Sequence, residues 1–187
     1  SMVDKLLIKQ IVVDEFEYEK PNIAYDYGFN LVWRPGETHK ERQSVLRINT
    51  DDGVVGEYCG GVNIRTASWL ASFLIGKNAL AREYLWSNMW RALRHEAGSG
   101  LAPIDIALWD LAGKYYGAPI YVLLGYYRTT LPAYASSTHA CNMKGGLDSP
   151  EAYAEFAEEC LKIGYQAFKM HGWGFDTPKR LKQEVAT

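Results

Sequence analysis

Cysteine is scarce and badly placed for a framework. The chain has three, Cys59, Cys141 and Cys160, an odd number at wide spacing. A disulfide scaffold needs paired, clustered thiols and a zinc site needs C-x-x-C-like spacing, so both are excluded. Free thiols in a reducing compartment are expected, and a cytoplasmic location with them. An excess of either charge is also missing. Lys and Arg number 20 against 22 Asp and Glu, a formal net charge of −2, which leaves no footprint for nucleic acid or an anionic membrane. No apolar run reaches the length of a membrane span. No basic-then-apolar leader opens the chain, and Ser1-Met2 reads as a tag remnant before a native start. With 48% hydrophobic residues over 187 positions, the composition suits a soluble globular chain with one large core or two smaller ones.

The strongest local signal lies in APIDIALWDLAGKYYGAPIYVLLG, residues 102–125. Ile104, Ala107, Leu108, Leu111, Ala112 and Tyr115 recur at spacings of three and four, which predicts one amphipathic helix. Lys114 sits in its last turn, Gly117 is its stop and Pro119 follows. Asp105 and Asp110 read as capping or ion-paired carboxylates rather than catalytic ones. Upstream, Leu6–Val13, Phe29–Arg34 and Gln43–Thr50 read as strands. Asp51-Asp52-Gly53 is a hairpin turn returning through Val54–Tyr58. Thr66–Leu74 and Ala79–Leu93 are predicted helices, parted by Gly76-Lys77-Asn78. Strands followed by helices indicate an α+β domain, an antiparallel meander covered on one face.

The pattern then alternates. Leu131–Ser137 is a predicted strand. Ser149 as N-cap and Pro150 at the first helical position start a helix that ends at Gly164. Gln166–His171 is a second strand, and Thr177-Pro178 repeats the start signal before Lys179–Ala186. This β-α-β-α order is the unit of a parallel sheet or barrel. The expected domains are 1–128 and 129–187.

The pattern A-x-x-D-x-A-x-W-D-x-x-G-K (Ala102, Asp105, Ala107, Trp109, Asp110, Gly113, Lys114), followed by G-x-P-x-x-x-L-L-G over Gly117–Gly125, resembles the enolase superfamily. Within it, the similarity is to the mandelate racemase and muconate lactonizing enzyme branch. Ile75–Asn78 through Met89-Trp90-Arg91 and Arg128 through Ser136 fit the same pattern, so the resemblance spans about residues 5–175. Tyr126 departs from it, standing where relatives usually carry a second Gly.

The resemblance implies an α+β N-terminal capping domain followed by the first two βα units of a (β/α)7β barrel. It also implies Mg²⁺ chemistry: the cation binds a small carboxylate substrate while a base removes the proton alpha to it. Such a proton is very weakly acidic, so both a cation and a base of suitable pKa are needed. The family's metal ligands lie on the third, fourth and fifth barrel strands. A full barrel takes roughly 250 residues, far more than 129–187 supplies, so no residue is assigned as a metal ligand.

What the resemblance leaves in this chain is part of a site. Many relatives end the second barrel strand in Lys-x-Lys, the second Lys being an acid/base. The matching positions are Lys169 and His171. Alternation puts them on one side of a strand, near the end where barrel sites lie. Lys169 is expected to meet the substrate carboxylate or to lower the pKa of its neighbour. His171 is expected as a base, since imidazole titrates near neutrality, or as a substrate contact. In isolation Lys-x-His is an ordinary strand end. Ser136 and Ser137, with Thr138, are expected at the pocket mouth. The family's two substrate-choosing loops match Pro21–Tyr27 and Cys59–Asn63, and Tyr25 and Tyr27 are expected to wall the pocket, though an exposed aromatic loop reads as well. His139 and Cys141 read as loop, Trp173 as rim or core packing, and His39 and His95 as surface or packing residues.

The leading expectation is an acid-sugar or hydroxy-acid dehydratase in the full-length parent, a homo-oligomer. Racemisation, epimerisation or cycloisomerisation of a carboxylate is the alternative. A truncated or interaction module without catalysis is the alternative of another class.

Overall fold

The structure, a computed structural model, describes residues 5–25, 31–96, 100–137 and 146–171. Tyr27, Thr138, His139, Cys141, Trp173 and the expected helix Lys179–Ala186 lie outside the described residues. Three strands, β1 (Ile8–Tyr25), β2 (Leu31–Thr50) and β3 (Val55–Gly60), form a sheet in that order. Helices α1 (Ile64–Leu74) and α2 (Arg82–Ala92), a 3₁₀ turn at Arg94–Glu96, α3 (Leu101–Tyr116) and the single turn α4 (Ile120–Leu123) follow. Then come β4 (Ala135–Ser136), α5 (Pro150–Lys162) and β5 (Phe168–Lys169). The described helices include none long and apolar enough to cross a membrane.

The chain divides into two compact units. One comprises residues 1–17 and 42–129, the other residues 18–41 and 130–187. In the first, β2 alternates strictly: Ser44, Leu46, Ile48 and Thr50 are buried and their neighbours are not. β2 pairs antiparallel with β3, Ile48 facing Gly56 and Arg47 facing Glu57. The hairpin turn is tied by the Thr50 hydroxyl, which donates to the Val54 carbonyl at 2.7 Å. The buried faces of these strands and of three helices share one core, with Leu46, Ile48, Leu70, Leu85, Ile104 and Leu108 at its centre. On α3 the buried stripe is the predicted one, except that Tyr115 is only partly buried. Gly117 ends the helix in the left-handed region at φ +62°.

The strands differ from expectation in length. β1 and β2 extend further than expected, so Pro21–Tyr25, expected as loop, is strand. The helix expected from Ala79 begins at Arg82, and the one expected from Thr66 begins at Ile64, because the Asn63 side chain caps it by accepting the Thr66 N–H at 3.1 Å.

In the second unit, β4 and β5 are parallel, Ala135 opposite Phe168 and Ser136 opposite Lys169. They are two residues long where six or seven were expected. Pro132 has no N–H to give a ladder, and pairing holds only across Ala135–Ser137, whose N–H groups bond Ala167 and Lys169 carbonyls at 3.0 and 3.1 Å. The α5 start is as predicted: the Ser149 hydroxyl accepts the Ala152 N–H at 3.1 Å, with Pro150 in the first turn.

Candidate functional site

The β4-α5-β5 unit has two faces. Successive strand residues point to opposite sides. Phe168 meets Phe156 of α5 edge-on, centroids 5.8 Å apart, so the Ala135–Phe168 side faces the helix. Ser136 and Lys169 share the other side, and both are exposed. Lys169 therefore stands beside Ser136 on a face turned away from α5.

His171 lies two residues past the strand and is half-buried. Its N–H donates to the Ser137 hydroxyl at 2.9 Å, and its carbonyl accepts the Tyr153 hydroxyl. Ser137 is only 3% exposed and Tyr153 only 2%. Ser137, expected at a pocket mouth, thus has its hydroxyl engaged inside the unit. Ser136 is the serine at the surface, its hydroxyl donating to the Ser137 carbonyl at 3.1 Å. The structure therefore brings together Ser136, Ser137, Lys169 and His171.

Tyr153 went unnoticed in the sequence, although a signal existed. Tyr153, Phe156 and Cys160 make an inward stripe on α5, and a buried tyrosine hydroxyl needs a hydrogen-bond partner.

Tyr25 lies at the end of β1. Its hydroxyl donates to Glu41 Oε1 at 3.2 Å and its ring meets His39 edge-on at 4.6 Å. Lys20 Nζ reaches the same Glu41 oxygen at 3.3 Å, and His39 Nε2 lies 3.8 Å from it. Burial works against the Glu41 anion, but the Lys20 ammonium and the Tyr25 hydroxyl outweigh it and hold the carboxyl below its ordinary value. Burial, then the bond to Glu41, raises the Tyr25 hydroxyl. Tyr25 is thus a fixed, 40% exposed phenol, and Glu41 is the residue that sequence reasoning missed beside it.

The cavity between Pro132-Ala133 and Ile163–Ala167, about 510 Å³, opens where the strands begin, at the opposite end from Lys169 and His171. Among the described residues no three of His, Cys, Asp and Glu gather into a group that would hold a metal ion. The described part of this chain therefore does not fit a magnesium site of its own.

The long helix motif has a structural use. Asp110 accepts the Glu57 N–H at 2.8 Å and pairs with Lys114 at 2.7 Å. Lys114 donates to the Val55 carbonyl at 2.9 Å and to Glu57 at 3.0 Å. Two helix residues four apart thereby staple α3 to β3. Trp109 carries the Arg82 guanidinium 3.3 Å above its ring centroid.

Residues 32–125 match the family described as mandelate racemase / muconate lactonizing enzyme, N-terminal domain. The chain belongs to this family, within the enolase superfamily. It is 34% identical over 148 residues to a D-galactarolactone cycloisomerase of Agrobacterium fabrum, a match covering 73% of this chain and 38% of that protein. It is 33% identical over 142 residues to a D-galactonate dehydratase of Pectobacterium atrosepticum, covering 70% and 35% respectively. Its fold superposes on D-glucarate dehydratase from Agrobacterium tumefaciens, crystallised with magnesium, with a TM-score of 0.81 and 30% identity over 98% of this chain and 50% of that one. The chain thus spans half or less of the length of these relatives. The α+β sheet-and-helix unit is the family's N-terminal capping domain.

Proposed function

We propose that these residues belong to a magnesium-dependent acid-sugar dehydratase, and that 129–187 begins its (β/α)7β barrel. Lys169 and His171 are the acid/base and substrate-contact residues of this part of the site. One observation carries the reading: Lys169 stands with Ser136 on the strand face turned away from the helix, and His171 is held just beyond it. That is the strand end at which barrel enzymes do their chemistry. An ammonium at Lys169 is suited to a substrate carboxylate, and His171 to moving the alpha proton near neutral pH. No step through the cation is assigned to this chain, since its described residues form no site for it. Tyr25 would wall the pocket. The dehydratases among the relatives support the reaction. The D-galactarolactone cycloisomerase supports a second reading, cycloisomerisation of a related acid sugar.

The test is turnover of an acid-sugar panel by the full-length protein with Mg²⁺. Lys169→Ala and His171→Asn are each expected to lower kcat/KM by about 10²-fold or more. Release of water marks dehydration, whereas an isomeric product marks the second reading. Undiminished turnover in both variants sinks the site assignment.

A further inference from the structure

β5 ends at Lys169. The last backbone bond of the ladder runs from the Ser137 N–H to the Lys169 carbonyl at 3.1 Å. Beyond it, side chains take over. The His171 N–H is met by the Ser137 hydroxyl at 2.9 Å, and the His171 carbonyl by the Tyr153 hydroxyl. One comes from the end of β4, the other from the early turns of α5. Both side chains are almost wholly buried, where a hydroxyl without a hydrogen bond is costly. A side chain's allowed rotamers follow from its backbone angles. A residue gripped at both its N–H and its C=O by two other elements keeps one backbone conformation, and with it a small set of imidazole directions.

We infer that Ser137 and Tyr153 are positioning residues that clamp the His171 main chain and so aim its imidazole. The inference rests on the proposed role of His171. Its physical content is separate: the two hydrogen bonds fix the His171 peptide, and a displacement of about 1 Å in a reacting group costs about 10²-fold in rate.

Tyr153→Phe keeps the ring and deletes only the donor, and Ser137→Ala deletes only the acceptor. The first measurement is long-range ¹H–¹⁵N NMR of the histidine rings in the intact chain, with His171→Asn supplying the assignment. Both variants are expected to shift the His171 ring signals, with the His39 and His95 signals unmoved. Amide exchange at His171 is expected to rise about tenfold in Ser137→Ala. Ser137→Thr, which keeps the hydroxyl, should restore the parent spectrum. Unchanged His171 signals in folded Tyr153→Phe and Ser137→Ala overturn the proposal. If Tyr153→Phe does not fold, Ser137→Ala decides alone. Turnover by the full-length protein then separates the two readings. A fall in kcat of about tenfold or more with KM nearly constant in Tyr153→Phe supports the clamp. Turnover unaffected by His171→Asn overturns the role of His171 and leaves the ring spectra to judge the clamp.

Discussion

Two carboxylates in the first unit titrate in opposite directions. Glu57 accepts from Lys114 and pairs with it, and Arg47 lies on its other side, so its carboxyl is held below the ordinary value. Its stabilising contribution is present above the unfolded pKa and is lost as pH falls through the lowered folded one. Asp105 is raised, first by burial, then by Glu83, against the opposing pull of Arg82. The folded state therefore binds its proton more tightly, and acidification through its folded pKa adds stability rather than removing it. In thermal unfolding followed from about pH 7 to about pH 3, the carboxylate range, Lys114→Met is expected to flatten the acid-side loss and Asp105→Asn to steepen it. At neutral pH, Lys114→Met should also cost about 1 kcal/mol, because its bonds to Val55 and Glu57 are partly solvent-exposed. Tyr126 shows where one residue resists its neighbours. It occupies φ +55°, a region that costs a non-glycine about 1–2 kcal/mol. Its N–H still donates to the Tyr121 carbonyl at 2.9 Å, and its ring stacks on Tyr121 at 5.4 Å. A glycine would suit that backbone. A β-branched residue would not, and Tyr126→Val is expected to lower stability by about 1 kcal/mol or more in urea unfolding.

Among the elements, β3 and α3 meet most closely, and Gly56 is the point of approach. A Cβ built there would lie 2.1 Å from the Ala107 carbonyl oxygen and 2.7 Å from Leu111 Cβ. Gly53, in the hairpin turn, has open space around it but a φ of +81°. Alanine at the two positions separates the two costs. Gly56→Ala must push helix from sheet, costing about 2–3 kcal/mol, while Gly53→Ala pays only backbone strain of about 1 kcal/mol. Equal melting temperatures for the pair would contradict the close approach. The helices were legible in the sequence because a helix repeats its own signal: the stripe on α3, the Ser149–Pro150 start of α5 and the Gly117 stop are all local. The strand ends were not. Whether a residue of β4 or β5 counts as strand depends on a ladder partner more than thirty residues away, and Pro21–Tyr25 read as loop because nothing local shows that β2 continues beside it.

For the whole molecule, unit composition governs behaviour. Among the described residues, the second unit exposes Leu131, Leu161 and Ile163, each more than 60% accessible, beside a parallel sheet of two strands. Open edges and uncovered apolar residues favour association. Light scattering of the purified 187-residue chain should therefore show concentration-dependent self-association, and Ile163→Glu should reduce it. The sequence by itself determined the family, the capping domain and the helix stripe, because these depend on residue type and short spacing. Only the tertiary structure decided that the identifying motif is a staple, with Asp110 and Lys114 holding α3 to β3. Only the tertiary structure brought Ser137 and Tyr153 to the His171 peptide, because a hydrogen bond between residues 18 or 34 positions apart leaves no periodic trace in the chain.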